Sequence, residues 1–209
     1  LLSLLTIQAI VERSPPPVNS ALLAPRHAGC YNSAVHNVAG HRPASAADSE
    51  EECQPVERGK YFDDLEVGER FVTMGRTVTE TDLVTWVALT GTREEMFMNR
   101  EFARRSMFGR TIVPAPLTQA LASGLFSLTG VLHGTTVAFL SGQVRAIAPL
   151  FIGDTIHDEV EVSGKKRTSK PDRGVVTLLH TVTNQHGQAV VSFNTTFMMW
   201  RRPDLVVAE

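Results

Sequence analysis

The segment Pro114-Ala-Pro-Leu-Thr-Gln-Ala-Leu-Ala-Ser-Gly-Leu-Phe-Ser-Leu-Thr129 determines how the rest of the chain can be arranged. A proline at the first helical position is favourable, because its missing N–H would have no partner there. The segment therefore predicts a helix from about Leu117 to Thr129, along which leucines recur at helical spacing. The other positions are mostly apolar or small, and a helix that is apolar nearly all round is a buried one. We expect this helix to lie inside the domain.

The chain after Gly134 predicts a series of β-strands, because it shows the period-two alternation of side chains that is typical of strands. The predicted strands are Val137–Ile147, Thr155–Val162, Val175–Val182 and Val191–Met199. Two segments rich in turn-forming residues, Ser169–Gly174 and Asn184–Gly187, separate the last three strands. Short turns join antiparallel neighbours, so this part of the chain predicts an antiparallel meander.

The chain before the buried helix predicts a strand, a helix and a loop. Phe71–Val78 has the composition of a strand, and Thr79 can cap a helix that ends near Gly91. Residues 92–110 predict a loop with a helical turn around Arg100–Arg105. The order of these elements predicts an α+β domain, in which an antiparallel sheet wraps around a central buried helix.

Composition excludes several classes of protein. The chain has 209 residues and a formal net charge of −2, which gives no broad positive surface for nucleic acid. Its two cysteines, Cys30 and Cys53, are not spaced with histidines as in zinc sites, so we expect neither a disulfide framework nor a metal. No run of 18 or more apolar residues occurs, so we expect a soluble, cytoplasmic protein without membrane contact.

The first part of the chain has a different composition. Residues 1–58 include Pro15-Pro-Pro17 and many Ser, Ala, His and Pro residues, so we expect a disordered or leader-like segment. Glu12 is the only acid among the first 47 residues, and a transit peptide, implying a mitochondrial location, is therefore the alternative. The absence of an initiator Met leaves a fragment or a misassigned start open. We expect residues 59–203 to form the domain and residues 204–209 a short tail.

Seven short motifs between Gly59 and Arg202 resemble those of the MaoC-like dehydratases, a family with the hot-dog fold. The matching segments are Tyr61–Gly68, Thr77–Asp82, Leu89–Gly91, Glu101–Ala103, Phe108–Arg110, Ile112–Pro114 and Pro149–Asp154. Each motif is weak by itself, but their order and spacing together indicate the fold. Members of this family add water to, or remove it from, acyl thioesters of coenzyme A or acyl carrier protein. The resemblance therefore implies an enoyl-CoA hydratase or dehydratase that needs no cofactor.

The chain departs from the family at the positions that matter most for catalysis. The motif of the family is Thr-Gly-Asp-x-Asn-Pro-x-His, and its Asp and His share the proton transfers. At the matching positions this chain has Thr92 instead of Asp and Phe97 instead of His. Phenylalanine cannot transfer a proton, and threonine is a poor base without help. The resemblance therefore implies a site whose usual catalytic pair is replaced.

Glu94 and Glu95 are the candidates for substitute catalytic groups. A carboxylate in a cleft can act as acid and base when desolvation raises its pKa. The alternative is two solvated acids in a polar loop. The substrate-binding candidates are Thr92, Phe97 and Ala115, and the resemblance places the Ala115 N–H against the thioester oxygen. That position is the start of the central helix, where the helix dipole favours negative charge.

Two further groups of residues have a functional and a structural interpretation. Arg104, Arg105 and Arg110 suit the phosphates of coenzyme A, or they are ordinary surface charges. His157, His180 and His186 fall in the predicted strands or their turn. No acidic partner is apparent for these histidines from the sequence, so we expect them on the surface or on a face of the sheet, without a role as ligands.

Three functions remain open. The first is a MaoC-type hydratase or dehydratase in which Glu94 or Glu95 replaces the usual pair. The second is a non-catalytic subunit that binds acyl-CoA and supports a heteromeric hydratase. The third is a thioesterase on the same fold, which the motifs around Ile112–Pro114 and Phe151–Asp154 favour less. Because the family pairs its sheets, the resemblance implies a homodimer, or a heterodimer with another hot-dog subunit.

Overall fold

A computed structural model describes residues 59–205, so the predictions for residues 1–58 and for the end of the tail lie outside the described residues. The helices are α1 (Glu80–Thr90), α2 (Glu95–Met98), α3 (Arg100–Arg105) and α4 (Ala115–Ser127). The strands are β1 (Arg70–Val72), β2 (Arg76–Thr77), β3 (Thr136–Ala146), β4 (Thr155–Arg167), β5 (Arg173–Thr183) and β6 (Ala189–Trp200). Short 3-10 turns occur at Phe62–Asp64 and Pro203–Leu205.

The strands form an antiparallel sheet in the order β1–β4–β5–β6–β3, and β2 also pairs with β4. Strands β4, β5 and β6 are joined by hairpins, as the turn-forming segments predict. Strand β3 pairs with β6 and forms the edge of the sheet. Helix α4 packs against β3, β4 and β6. The predicted α+β architecture, a sheet around a central helix, is confirmed.

The segment Phe71–Val78 is not the single strand that its composition predicts. It contains β1 and β2, with an irregular segment between them. There the Thr73 N–H donates to the carbonyl oxygen of Asp158 at 3.0 Å, and Thr73 Oγ1 accepts from the Asp158 N–H at 2.9 Å. Because a side chain takes the place of a backbone acceptor, the regular ladder with β4 stops at this point.

Helix α1 begins and ends where the sequence predicts. Thr79 Oγ1 accepts from the Asp82 N–H at 3.3 Å, and the Asp82 carboxylate accepts from the Thr79 N–H at 2.8 Å. These reciprocal bonds form a capping box, which satisfies N–H groups that have no partner within the helix. At the other end Gly91 has a φ of 73°, a left-handed conformation that glycine adopts without strain.

The predicted loop 92–110 contains two short helices. Helix α3 is the predicted helical turn, and Asn99 caps it by accepting from the N–H groups of Glu101 and Phe102 at 3.1 Å. Helix α2 was not predicted, because four residues are too few to show a helical period. Together the two helices carry the chain from α1 to the start of α4.

Helix α4 begins at Ala115, two residues before the predicted start. Pro114 is its N-cap, and Pro116 occupies its first turn. The prediction that this helix is buried nearly all round is wrong for one side. One side of the helix packs against the sheet of the same chain. The other side is an exposed stripe that consists of Pro116, Ala120, Ser123, Gly124 and Ser127.

Two apolar clusters hold α4 against the sheet. One lies toward the start of the helix and includes Leu83, Leu117 and Phe193, while the other includes Phe126 and Leu178. Full burial of a Leu or Phe side chain stabilises a fold by about 1.5–3 kcal/mol. Packing of this kind fixes both ends of α4 relative to the strands.

Two kinds of feature are absent from the described residues. No helix between residues 59 and 205 is long and apolar enough to cross a membrane. Within the same range, no group of three or more His, Cys, Asp and Glu residues is arranged to hold a metal ion.

Candidate functional site

A cavity of about 400 Å³ lies at the N-terminal end of α4. Volumes of this size suit small ligands and cofactors. The segment before α4, helix α2, the end of β3 and the loop that follows it supply the walls, whose residues include Phe97, Phe108, Ile112, Ala115, Ile147 and Pro149. None of the lining residues, all of them in the described part of the chain, has a titratable side chain.

The start of α4 is held in place by the segment that follows β3. The Val113 N–H donates to the carbonyl oxygen of Leu150 at 2.7 Å, and Ile112 forms a β-bridge with Phe151. As the first helical residue, Ala115 has an N–H group with no acceptor inside the helix. The cavity therefore lies at the positive end of the helix dipole, beside an N–H group that can donate to a ligand.

Phe97 belongs to the same cavity. It lies on α2 and is half-buried, and the edge of its ring meets Trp86 of α1 with 6.3 Å between centroids and an angle of 86°. Such edge-to-face contacts are favourable between aromatic rings. Two predicted substrate-binding residues, Phe97 and Ala115, thus come together although they are far apart in sequence.

The other predicted site residues do not line this cavity. The Thr92 N–H donates to Thr90 Oγ1 at 3.3 Å, which closes the end of α1. Glu94 and Glu95 are exposed, and the Glu95 carboxylate accepts from the Asn99 side-chain amide at 3.2 Å. In a single chain both carboxylates are therefore exposed to water. Their catalytic role stays a prediction.

A second depression, of about 330 Å³, shares Phe97 with the cavity at Ala115. Arg104 and Arg110 line it, as does Arg100, which the sequence did not single out. Arg105 is not among its lining residues. A groove with three guanidinium groups beside an apolar cavity matches a ligand with one anionic and one apolar end.

The three arginines of this depression are neutralised to different degrees. Arg100 donates to both carboxylate oxygens of Glu80 at 2.6 Å, and Arg104 donates to Glu101 at 2.6 Å. The Arg110 guanidinium lies 3.7 Å from the ring centroid of Phe151. Because a ring leaves most of the cationic charge available, Arg110 is the strongest candidate for binding an anion.

His180 corrects the expectation that the histidines have no acidic partner. It is buried on β5, and its Nδ1 lies 2.7 Å from Asp158 Oδ2 on β4. Its Nε2 lies 3.0 Å from Thr195 Oγ1 on β6. Asp158 is also completely buried, and burial raises the pKa of its carboxyl although the hydrogen bond to His180 opposes that shift.

The other two histidines fit the expectation better. His157 Nε2 lies 2.9 Å from Thr183 Oγ1, and His186 is in the hairpin turn before β6. Neither of these two side chains lines the cavity at Ala115.

A signal for the buried pair was nevertheless present in the sequence. His180 lies two residues after Leu178, and both side chains are on the inward face of β5. Asp158 falls between Ile156 and Val160 on β4 in the same way. Because alternate residues of a strand share a face, the alternation places both polar side chains among buried apolar neighbours.

Comparison with known proteins assigns the family. Residues 64–184, more than half of the chain, match the family described as "MaoC like domain". The chain belongs to the MaoC-like family. The match includes Phe97, Ala115, Asp158 and His180, so the cavity at Ala115 and the buried pair both have residues inside the MaoC-like domain.

Individual relatives agree with this assignment. The chain is 32% identical to protein MaoC of Klebsiella aerogenes over 114 residues, which are 54% of this chain and 33% of the relative. It is 31% identical to a 3-hydroxybutyryl-CoA dehydratase of Methylorubrum extorquens over 109 residues, covering 52% and 68% of the two chains. The chain thus spans about a third of the length of the first relative.

A solved structure supports the fold. The monoamine oxidase regulatory protein from Archaeoglobus superimposes with a TM-score of 0.66 and 32% sequence identity, covering 70% of this chain and 98% of that one. A conserved protein of Mycobacterium tuberculosis described as having a double hot-dog fold superimposes with a TM-score of 0.63 and 23% sequence identity, covering 72% of this chain and 47% of that one. The MaoC-like domain therefore has the hot-dog fold that its motifs predict.

Proposed function

We propose that this MaoC-like domain binds an acyl thioester in the cavity between Phe97 and Ala115, as a subunit without a catalytic pair of its own. The observation that carries the proposal is the composition of the cavity wall, which has no titratable side chain in the described part of the chain. Hydration of an enoyl thioester needs a group that takes a proton from water. The wall supplies shape and apolar surface but no such group.

The positions of the replaced pair support the same conclusion. Phe97 stands where the family motif has its histidine, and its ring forms part of the cavity wall. An apolar ring there can contact an acyl chain but cannot move a proton. Thr92 stands where the motif has its aspartate and donates its N–H to Thr90. A subunit that only binds its ligand accounts for both replacements.

The proposed ligand follows from the two ends of the site. The Ala115 N–H, at the positive end of α4, would donate to the thioester oxygen. The apolar wall would receive the acyl chain, and the depression lined by Arg100, Arg104 and Arg110 would receive phosphates of coenzyme A or of a carrier protein. Phe97 would lie between these parts, since it lines both.

The proposed partner is another hot-dog subunit, either a second copy or a subunit that supplies the proton-transferring groups. Strand β3 forms an edge of the sheet, and Phe139, Val144 and Ile147 on or just after it are exposed apolar residues. An exposed edge with apolar side chains favours pairing with another strand. The proposed location is the cytoplasm, or the mitochondrion if residues 1–57 are a transit segment.

A second candidate function is a hydratase or dehydratase that uses Glu94 or Glu95. It is favoured by the position of both residues at the start of α2, the helix that carries Phe97 into the cavity wall. A relative that matches this chain is named a 3-hydroxybutyryl-CoA dehydratase. In this version a partner subunit would cover the two exposed carboxylates and desolvate one of them.

Binding and turnover measured on the same preparation distinguish the two candidates. The full chain is titrated with crotonyl-CoA by calorimetry, and hydration is followed by the loss of enoyl-thioester absorbance. We expect binding without turnover. The Ala115→Pro variant removes the N–H at a position that tolerates proline, so binding should weaken about 3- to 10-fold, whereas Ala115→Ser keeps the N–H and serves as the control.

The other outcomes have clear meanings. Turnover that is lost in Glu94→Gln or Glu95→Gln would establish the second candidate. Turnover that is indifferent to both changes would show that another group transfers the protons. An absence of binding to crotonyl-CoA and to longer enoyl-CoA substrates would contradict both candidates.

A further inference from the structure

A buried polar relay crosses the sheet beneath the C-terminal half of α4. Asp158, His180 and Thr195 lie on the neighbouring strands β4, β5 and β6, and their exposed fractions are 0%, 1% and 5%. Asp158 Oδ2 is 2.7 Å from His180 Nδ1, and His180 Nε2 is 3.0 Å from Thr195 Oγ1. The chain of contacts therefore runs from a carboxylate through an imidazole to a hydroxyl.

The surroundings hold the imidazole in one orientation. Its ring is stacked on Phe193 with 4.1 Å between centroids and an interplanar angle of 9°. The ring of Phe126 from α4 is nearly perpendicular to it, with 5.5 Å between centroids and an interplanar angle of 87°. With the ring fixed in this way, an ionised Asp158 accepts from Nδ1–H, and Nε2 is left to accept from the Thr195 hydroxyl.

Packing does not explain why these residues are polar. Replacing a buried ion pair by well-packed apolar residues is often neutral or stabilising. The other oxygen of Asp158, Oδ1, is buried and has no hydrogen-bond partner among the described residues, which adds a further desolvation cost. A carboxyl whose pKa is raised by burial, with a specific charge partner and a cavity beside it, is a functional-site candidate.

Such a cavity is present. A space of about 330 Å³ lies beside the relay, and both His180 and Thr195 line it. Phe126, Leu132 and Phe197 give it apolar walls, while Ser123 and Ser127 of α4 add hydroxyl groups. None of its lining residues belongs to the cavity at Phe97 and Ala115. The two sites are therefore separate.

We propose that this second cavity is an acyl-transfer site, in which Thr195 is the nucleophile, His180 its base, and Asp158 the group that orients the imidazole. A nucleophile hydrogen-bonded to a base that a third group orients is the arrangement that activates a hydroxyl. The substrate class is an activated acyl compound with a short apolar chain, because Phe126, Leu132 and Phe197 give the small cavity an apolar part beside its hydroxyl groups and His133. Ser123 and Ser127, whose hydroxyls also line the cavity, are the candidate donors to the oxygen of its carbonyl group.

The reaction can be written with a full balance of bonds and protons. Thr195 Oγ1 attacks the carbonyl carbon while its proton passes to His180 Nε2, and the bond from that carbon to sulfur or oxygen breaks. His180 then gives the proton to the leaving thiolate or alkoxide. Water attacks the resulting threonine ester, its proton passes through His180 back to Thr195 Oγ1, and a carboxylic acid leaves.

The test uses the full chain and two probes, p-nitrophenyl butyrate and butyryl-CoA. Hydrolysis is followed by release of nitrophenolate or of the free thiol, and the acylated peptide is identified by mass spectrometry after an acid quench. We expect a butyryl group on the peptide that contains Thr195. Thr195→Val should reduce hydrolysis about 100-fold or more, and Thr195→Ser should retain it.

A neighbouring threonine provides the matched control. Thr196 lies on the same strand but pairs with Thr177 Oγ1 at 3.3 Å on the other face, so Thr196→Val should leave hydrolysis unchanged. The proposal is overturned if wild-type protein hydrolyses neither probe and carries no butyryl group on Thr195. Equal activity of the Thr195→Val and Thr196→Val variants would also overturn it. Because this cavity shares no lining residue with the one at Phe97 and Ala115, the proposal stands or fails independently of the thioester site.

Discussion

The backbone of Gly174 on β5 lies directly against the ring of Phe62. A Cβ atom at position 174 would stand only 2.6 Å from Phe62 Cγ, and other ring atoms would be nearer still. Phe62 is itself buried in the cluster that includes Phe126 and Leu178, so a shift of its ring would disturb that packing. Glycine at this position lets the segment before β1 close one end of the sheet.

Gly174→Ala should therefore destabilise the domain. Overpacking of a well-packed core typically costs about 1–3 kcal/mol, and we expect a loss in that range in the free energy of unfolding measured with urea. Gly164→Ala on β4 is the control, since an added Cβ there meets only the Thr177 Cβ at 3.9 Å. Equal stability of the two variants would show that Phe62 can move aside.

The capping box of α1 gives a second prediction. Thr79→Ala removes the oxygen that accepts from the Asp82 N–H, so one N–H group of the first turn loses its partner. The usual cost of such a loss is about 1 kcal/mol, which a shift of the urea midpoint would report. Thr85→Ala, at an exposed position inside the same helix, should be neutral or slightly stabilising because alanine has the higher helix propensity. A midpoint shift of the same size and sign in both variants would contradict the capping role.

Phe97→His gives a third prediction, which rests on the proposed function. The substitution puts an imidazole into the wall of the cavity at Ala115, where no lining residue of the described chain can transfer a proton. The wild type should not hydrate crotonyl-CoA above background, and we expect the variant to exceed that background about 100-fold, because a positioned acid or base typically contributes at least that much. Phe97→Leu keeps the wall apolar and should not gain activity. A histidine variant that binds crotonyl-CoA but remains inactive would show that one imidazole is insufficient.

Local patterns in the sequence were enough to predict most of the fold. The cap at Thr79 and the glycine at position 91 mark α1, and the prolines before Leu117 mark the start of α4 to within two residues. In β5 the alternate residues Val176, Leu178, His180 and Val182 are buried, as the period of two that predicted the strand requires. In contrast, the break between β1 and β2 depends on the bond between Thr73 and Asp158, which are 85 positions apart, and no local pattern reports such a contact.

The candidate sites were less predictable because they are assembled from distant segments. Phe97 and Ala115 were identified through their positions in the family motifs, but the wall they share also needs the segment from Ala146 to Leu150. His180 was expected to lack an acidic partner because nothing near it in sequence is acidic. The register of the β4–β5 hairpin, in which Val160 pairs with His180, is what brings Asp158 within reach.

The buried carboxyl of Asp158 gives the last prediction, which concerns pH. Burial raises its pKa in the folded protein above the ordinary value, so the folded state holds this proton to a higher pH than the unfolded chain does. The free energy that this group contributes is fully present below the unfolded pKa of about 4 and is lost as pH rises through the folded pKa. Asp158→Asn cannot lose a proton. The unfolding free energy of the wild type minus that of this variant should therefore fall as pH increases from about 4. Urea unfolding at successive pH values measures this difference between wild type and variant. The same comparison is made in a His180→Gln background, because His180, His157 and Glu159 all act on the Asp158 carboxyl. A difference that increases with pH in the wild-type background but not in the His180→Gln background would mean that the hydrogen bond to the imidazole outweighs burial, and an increase in both would contradict the raised pKa.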